Sequence, residues 1–335
     1  MASFVITLPS RGNGGRGARP GFPGFVTDPR GAFNPFDHLT QAGRAAEIAA
    51  FHGALAPFDP QGEESLVAAA SLLRQSRWLR VVAGFHPGVA TPVYAAKVSA
   101  SLQRFSGDRL DWRISVDLDP AVARAQGDFL EGADRYARAE EFLTVAKGVW
   151  SQEDYTYEGR FYQVLAGGFL SPLAGRAFPR VHLSGTSKEA LALSARHADV
   201  HVFEPGDDIE AVDLPGVTYG LRLPVLARDD EDEAWRAARR LWSGGGGAAD
   251  ALPDPDPRTG LWAGFGPPDP GSAPGTGSSR AGLVGSFETV AAGIRGYIDR
   301  GVGAFLLEAT PHIEETYRLG ERLLPLLAKE GAHVR

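Results

Sequence analysis

The sequence predicts a (β/α)8 barrel, and three observations carry that reading. Apolar strand-like runs alternate with helix-spaced segments along the whole chain, and eight such strands can be counted. Runs such as Val81-Val82-Ala83 and Phe305-Leu306-Leu307 lack polar alternation, so both faces are expected to be buried, as in a parallel sheet under helices. The length of 335 residues and an apolar content of 43 % allow a large core and suit one barrel domain or two domains equally; the strand count selects one barrel domain spanning residues 1–335.

Composition excludes several classes of function. A net charge of −7 argues against a nucleic-acid scaffold. With no cysteine, disulfides, thiolate metal sites and cysteine nucleophiles are all ruled out. The first residues lack the basic, apolar, small-residue order of a secretory signal, and no run approaches the roughly 18 apolar residues of a membrane span. A cytoplasmic protein with no membrane partner is expected. No G-x-S-x-G elbow occurs, which disfavours Ser-His-Asp hydrolysis.

In chain order, residues 4–8 read as the first strand. Residues 10–34 form a long Gly, Arg and Pro loop. Gly12-Asn13-Gly14-Gly15-Arg16-Gly17 matches G-x-G-x-x-G by letter, but Pro20 and Pro23 follow where a dinucleotide site needs a helix, so a plain loop is expected. Helices over 36–51, 63–75 and 91–105 alternate with strands over 54–58, 79–84 and 110–116. A long helix is expected over 134–150 and a small hairpin over 155–164 with Gly159 near its tip. Strands over 181–183, 199–203 and 217–226 follow, the first and third each leading into a helix, 187–197 and 229–242. Residues 243–282 change character: eighteen of the forty are Gly or Pro, too many for a core element. They are expected to form either a surface excursion or a lid. A helix capped by Ser286, a strand over 302–307 and a helix over 312–328 complete the chain.

In such a barrel the residues just past each strand share one mouth. Here they would include Ser10, Arg11, Phe58, His86, Asp117, Ser184, Glu204 and Thr310. One exit stands out. At Ser184-Gly185-Thr186-Ser187 an apolar strand meets a small-residue turn and a helix opens at once, which aims free N–H groups and short hydroxyls at an anion. Read structurally, Ser184 and Thr186 simply cap that helix.

Other residues carry two readings each. Arg222 lies inside a predicted strand, where a charge is costly unless paired. It either contacts an anionic substrate or forms an internal ion pair with Glu204 or Glu308. His312, at the last strand's exit, is either an acid/base near substrate or a helix-start histidine. Arg11, Arg16 and Arg19 could meet an anion or merely be solvated. Asp117 and Asp119 have no histidine beside them, so no metal is expected; His182 and His201 read as satisfied core or interface residues and His86 as structural.

Several stretches resemble the bacterial luciferase-like flavin monooxygenases, most closely the alkanesulfonate monooxygenase branch. They are Gly84-Phe85-His86-Pro87-Gly88 with Pro92, residues 102–110, and Asp134-Arg135-Tyr136 running on to Phe142. Tyr157-Glu158-Gly159, Leu183-Ser184-Gly185-Thr186-Ser187 and Gly220-Leu221-Arg222-Leu223 belong with them, as do Leu283 to Ser286, Pro311 to Arg318 and Leu324 to Leu327. The match runs from about residue 79 to residue 328.

The resemblance implies an eight-stranded barrel with insertions and FMN, received as FMNH2 from a separate NAD(P)H-dependent flavin reductase. It implies that Tyr136, Ser184, Gly185, Thr186 and Ser187 hold the flavin phosphate. It implies that O2 adds to the reduced flavin to give a C4a-peroxyflavin which oxygenates a small organic substrate, behind a closing loop at 243–282. A homodimer or homotetramer is the usual assembly. Arg222, His312 and Arg11 are the candidate catalytic residues, Arg222 in contact with an anionic substrate or with the peroxyflavin.

The departures bear on the substrate. Arg11 stands where the sulfonate branch has histidine, Gly62 where it has cysteine, Pro224 where it has histidine and Thr310 where it has tyrosine. Phe203 or Glu204 holds the place of the aromatic after strand six, and Arg258 or Arg280 that of the lid arginine. The flavin half of the site is kept and the substrate half rewritten. That disfavours simple alkanesulfonate cleavage and points to another substrate or to lost activity. Two alternatives stand beside the FMNH2-dependent monooxygenase: an F420-dependent oxidoreductase, whose acidic tail the arginines of 11–19 would serve, or a non-catalytic flavin-binding or partner subunit.

Overall fold

The computed structural model describes residues 2–10, 37–244, 252–265, 280–310 and 312–328. Arg11, Arg16, Arg19, the 12–17 glycine motif and most of the segment read as a lid therefore lie outside the described residues.

Eight parallel strands close into a barrel. β1 (Ser3–Thr7), α1 (His38–Ile48), β2 (Gly53–Ala56), α2 (Ser65–Gln75), β3 (Arg80–Phe85), α3 (Pro92–Ser106) and β4 (Leu110–Ile114) come first. Then follow α4 (Pro120–Ala125), α5 (Ala133–Ser151), a hairpin of β5 (Tyr155–Glu158) and β6 (Gln163–Gly167), and β7 (Arg180–Ser184). Next are α6 (Lys188–His197), β8 (Val200–Phe203), β9 (Thr218–Arg228) and α7 (Glu231–Gly244). β10 (Leu261–Trp262), β11 (Gly282–Ser286), α8 (Phe287–Asp299), β12 (Val302–Glu308), α9 (His312–Arg318) and α10 (Leu324–Ala328) are the last elements among the described residues. The barrel runs β1-β2-β3-β4-β7-β8-β9-β12, and β12 returns to β1 through Val5 beside Leu306.

Register fixes what points inward, because paired residues of parallel neighbours share a face. Val5, Leu55, Val82, Val200, Val202, Ala304 and Leu306 form the interior cluster. The same face carries Arg113 and His182, which pair across β4 and β7, and Arg222, which pairs with Leu306 across β9 and β12. The opposite face packs under the helices in the larger core around Phe85, Trp112, Phe142 and Phe305.

Local signals set the helix starts. Asp37, Glu64, Thr91, Asp119, Ser187 and Ser286 each accept a backbone N–H of the first turn, leaving fewer orphan donors. The hairpin sits on α5 because Glu141 accepts the N–H groups of Arg160, Phe161 and Tyr162 at 2.8–3.1 Å.

Three features depart from the sequence reading. α4 was not foreseen, although Asp119-Pro120 is a cap followed by a first-turn proline. The last helix is broken by a π-turn over Leu319–Leu323. Pro325 cannot donate to the carbonyl four residues back, and Gly320 lies where a Cβ would meet the Ala49 carbonyl oxygen at 2.4 Å. Within 243–282, Leu261–Trp262 is a strand pairing antiparallel with β11, which itself extends β9. Trp262 is fully buried among Trp235, Trp242 and Phe265 and donates to the Pro253 carbonyl at 2.9 Å. Among the described residues no helix is long and apolar enough to cross a membrane.

Candidate active site

The carboxyl ends of the barrel strands hold two groups of polar side chains. One is the turn between β7 and α6. Gly185 has φ +110°, a conformation in which an L side chain is strained. A Cβ there would lie 3.0 Å from the Ala190 Cβ and 3.6 Å from the Tyr136 hydroxyl, so glycine leaves a shallow cradle. Ser187 caps α6, its Oγ accepting the Ala190 N–H at 3.1 Å. The N–H groups of Lys188 and Glu189 have no intrahelical partner by helix geometry, and they face outward at the positive end of the dipole.

Tyr136 closes this cradle from α5. Its helix is pinned by Arg135, which donates to the carbonyls of Leu130 and Leu118 at 2.7 and 2.9 Å. Arg138 donates to Asp128 at 2.6 Å, and Asp128 also meets His86 Nε2 at 2.6 Å. His86 is thus part of a buried ionic knot joining the β3 exit to α5, with Nδ1 2.8 Å from the Ser115 carbonyl. The Tyr136 hydroxyl donates to Asp117 and accepts from Ser187 Oγ at 3.4 Å. Burial and the Asp117 carboxylate push the phenol well above its ordinary range, so it stays protonated.

The second group lines a cavity of about 230 Å3 between the ends of β1, β2, β9 and β12. Thr7, Ser10, Phe58, Pro224, Glu308 and His312 are among its walls. Just inside, Arg222 donates to Glu308 and lies 3.4 Å from Glu204. Glu308's second oxygen takes Arg280. Burial pushes the Glu308 carboxyl up, but Arg222 and Arg280 outweigh this and hold it below its ordinary range. Glu204, with weaker partners, is raised by burial.

Of the residues singled out from sequence, Tyr136, Ser184, Gly185, Thr186 and Ser187 come together at one exit. His312 borders the cavity, with its ring centroid 6.2 Å from that of His38. Arg222 is buried between two carboxylates, the surroundings of an internal ion pair. Arg280 stands in the mouth, whereas Arg258 lies in an exposed turn held by Asp256. His182 and His201 are buried in the barrel wall, and burial lowers each to about 4. Asp119 is spent on the α4 cap, and among the described residues no cluster of three His, Cys, Asp or Glu could hold a metal. The pairing of Asp117 with Tyr136 was not foreseen: nothing local in the sequence links residues 19 apart across a loop.

As a site for a flavin phosphate, the turn fits by shape and donors: a glycine cradle, two free helix N–H groups and the hydroxyls of Ser184 and Thr186. The Asp117 carboxylate opposes it, and Glu189 in the first turn of α6 is a second negative group nearby.

The model of one protein family, luciferase-like monooxygenase, matches residues 3–304. Among solved structures the chain is similar to the EDTA monooxygenase EmoA from Chelativorans sp. BNC1, at TM-score 0.71 and 18 % identity over 99 % of this chain and 95 % of that one. It is similar to the long-chain alkane monooxygenase LadA, at TM-score 0.70 and 15 % identity over 98 % and 92 %. It is also similar to the coenzyme F420-dependent tetrahydromethanopterin reductase of Methanopyrus kandleri, at TM-score 0.68 and 12 % identity over 97 % and 99 %. At these identities the structural likeness speaks for the fold, and the family match for descent: the chain belongs to the luciferase-like monooxygenases, a family of flavin-dependent enzymes.

Proposed function

We propose that the chain is the oxygenase of a two-component system, taking FMNH2 from a separate NAD(P)H-dependent reductase and using O2 to oxygenate a small organic substrate. The observation that carries this is the glycine cradle at the β7–α6 turn beside Tyr136, at the mouth of a barrel of this family. Reduced FMN, when bound, supplies the electrons that activate O2.

The chain's own residues do the rest. Ser184, Gly185, Thr186 and Ser187, with the first N–H groups of α6, hold the phosphate; Tyr136 closes that side. Phe58, Pro224, Leu226 and Phe265 give the cavity on the other side of the barrel mouth apolar walls that keep water from the reacting atoms. His312 is placed to contact substrate, since its imidazole borders the cavity and can give or take a proton. Arg222 sets the charge of the mouth, tied to Glu308 and Glu204. Arg11 remains a candidate beyond the described residues.

The rewritten substrate positions, Pro224 and Thr310, favour a substrate other than an alkanesulfonate, although the resemblance to that branch supports FMN over F420. An F420-dependent reading draws on the likeness to the tetrahydromethanopterin reductase. Titration with FMNH2 under anaerobic conditions, then rapid mixing with oxygenated buffer, tests the proposal. We expect saturable binding and oxygen consumption that depends on FMNH2. No binding of FMN or FMNH2 at saturating concentration would overturn it, and anaerobic turnover with F420 would replace it.

A further inference from the structure

At the β7–α6 turn the hydroxyls form a relay. Ser187 Oγ donates to the Tyr136 oxygen, and Tyr136 donates its only proton to Asp117 Oδ2. The same Asp117 oxygen lies 4.0 Å from the point where a Cβ on Gly185 would sit, so the carboxylate stands against the cradle itself. The arginines of α5 do not offset it. Arg135 is committed to two backbone carbonyls and Arg138 to Asp128. A second carboxylate, Glu189, acts on Tyr136 from the first turn of α6. An anion entering the cradle therefore meets helix N–H donors on one side. On the other it meets a tyrosine whose O–H is already committed to Asp117, and the Asp117 carboxylate itself.

We propose that Asp117 sets the tail preference of the flavin site, penalising a dianionic phosphate so that riboflavin, whose ribityl tail is uncharged, competes with FMN. This rests on the reading that the turn holds the flavin tail. Two unit charges about 4 Å apart near a protein surface repel by enough to change affinity at least about tenfold. The consequence is a flavin held loosely and exchanged readily, as suits a cofactor that arrives reduced from another protein.

The test is equilibrium titration of the full chain with FMN and with riboflavin, followed by quenching of flavin fluorescence, for the wild type and Asp117→Asn. Asparagine keeps an acceptor for Tyr136 and removes the charge. We expect the wild type to bind the two flavins within about tenfold of each other, and the variant to bind FMN at least about tenfold more tightly with riboflavin nearly unchanged. An unchanged ratio of the two affinities would overturn the proposal while leaving the flavin reading in place. Failure of both flavins to bind either protein would remove the flavin reading and this proposal with it. Should the variant not fold, the wild type answers alone: the two flavins are expected within about tenfold of each other, and FMN bound more than about tenfold more tightly than riboflavin would overturn the proposal.

Discussion

Arg222 on β9 and Glu308 on β12 form an ion pair just below the barrel mouth, and Glu308's remaining oxygen takes Arg280 from the residues leading into β11. The pair follows from register: Arg222 lies beside Leu306 and Pro224 beside Glu308, so both charges share the interior face. One carboxylate thus ties two barrel strands to the segment that precedes β11.

Breaking this pair costs stability before it costs cofactor binding. Arg222→Ala leaves Glu308 and Glu204 short of a buried cation, and we expect a loss of about 3–5 kcal/mol in urea denaturation. FMN affinity should change by less than about threefold, under about 1 kcal/mol. A variant of normal stability that loses FMN would assign Arg222 to the cofactor instead.

Acid stability has a local origin at Asp128. Burial pushes its carboxyl up, but hydrogen bonds from Arg138, the Leu130 N–H and His86 outweigh this and bring it from an ordinary 3.8 to about 2. A carboxyl lowered in the folded state stabilises above its unfolded value, and that contribution is lost as pH falls through the folded one. We expect about 2 kcal/mol to disappear between about pH 4 and pH 2. Asp128→Asn should be less stable at neutral pH and flatter across that window, which thermal melts at several pH values would read.

Gly185→Ala forces a side chain into the left-handed region and sets its Cβ 3.0 Å from that of Ala190. A cost of about 1–2 kcal/mol in stability is expected. FMN affinity should fall at least about tenfold as the cradle fills, one lost charged hydrogen bond being worth about 1.5–3 kcal/mol. Calorimetry with FMN on the folded variant measures both.

Trp262→Ala removes a fully buried indole from between Trp235, Trp242 and Phe265. We expect a loss of about 3–5 kcal/mol, together with a red shift of the remaining tryptophan emission as Trp235 and Trp242 gain water. A melt indistinguishable from wild type would mean that β10 contributes little to the fold.

The barrel strands were legible because each is a short apolar run whose periodicity needs no knowledge of its neighbours. The β7–α6 turn was legible for the same reason: strand, glycine and helix cap are contiguous. β10 was hidden, since a two-residue strand inside a Gly and Pro-rich stretch has no period to read, and only the buried Trp262 betrays it. The pairing of Arg222 with Glu204 or Glu308 was legible as one of two readings, because a charge inside a strand needs a partner, although Arg222 and Glu308 meet over 86 residues through the pairing of β9 with β12. The part Arg280 plays in that network was not legible, since the residues before it have no period to read. Asp117 looked like one strand-exit residue among several, because its partner Tyr136 arrives from a helix beyond a loop.

A crystal structure of the chain soaked with FMN tests the central claim most directly. We expect the phosphate in the cradle of Ser184, Gly185, Thr186 and Ser187, against the first N–H groups of α6, with the ring system over the cavity bordered by His312 and Glu308. Flavin density elsewhere, or a phosphate turned away from that cradle into solvent, would contradict it.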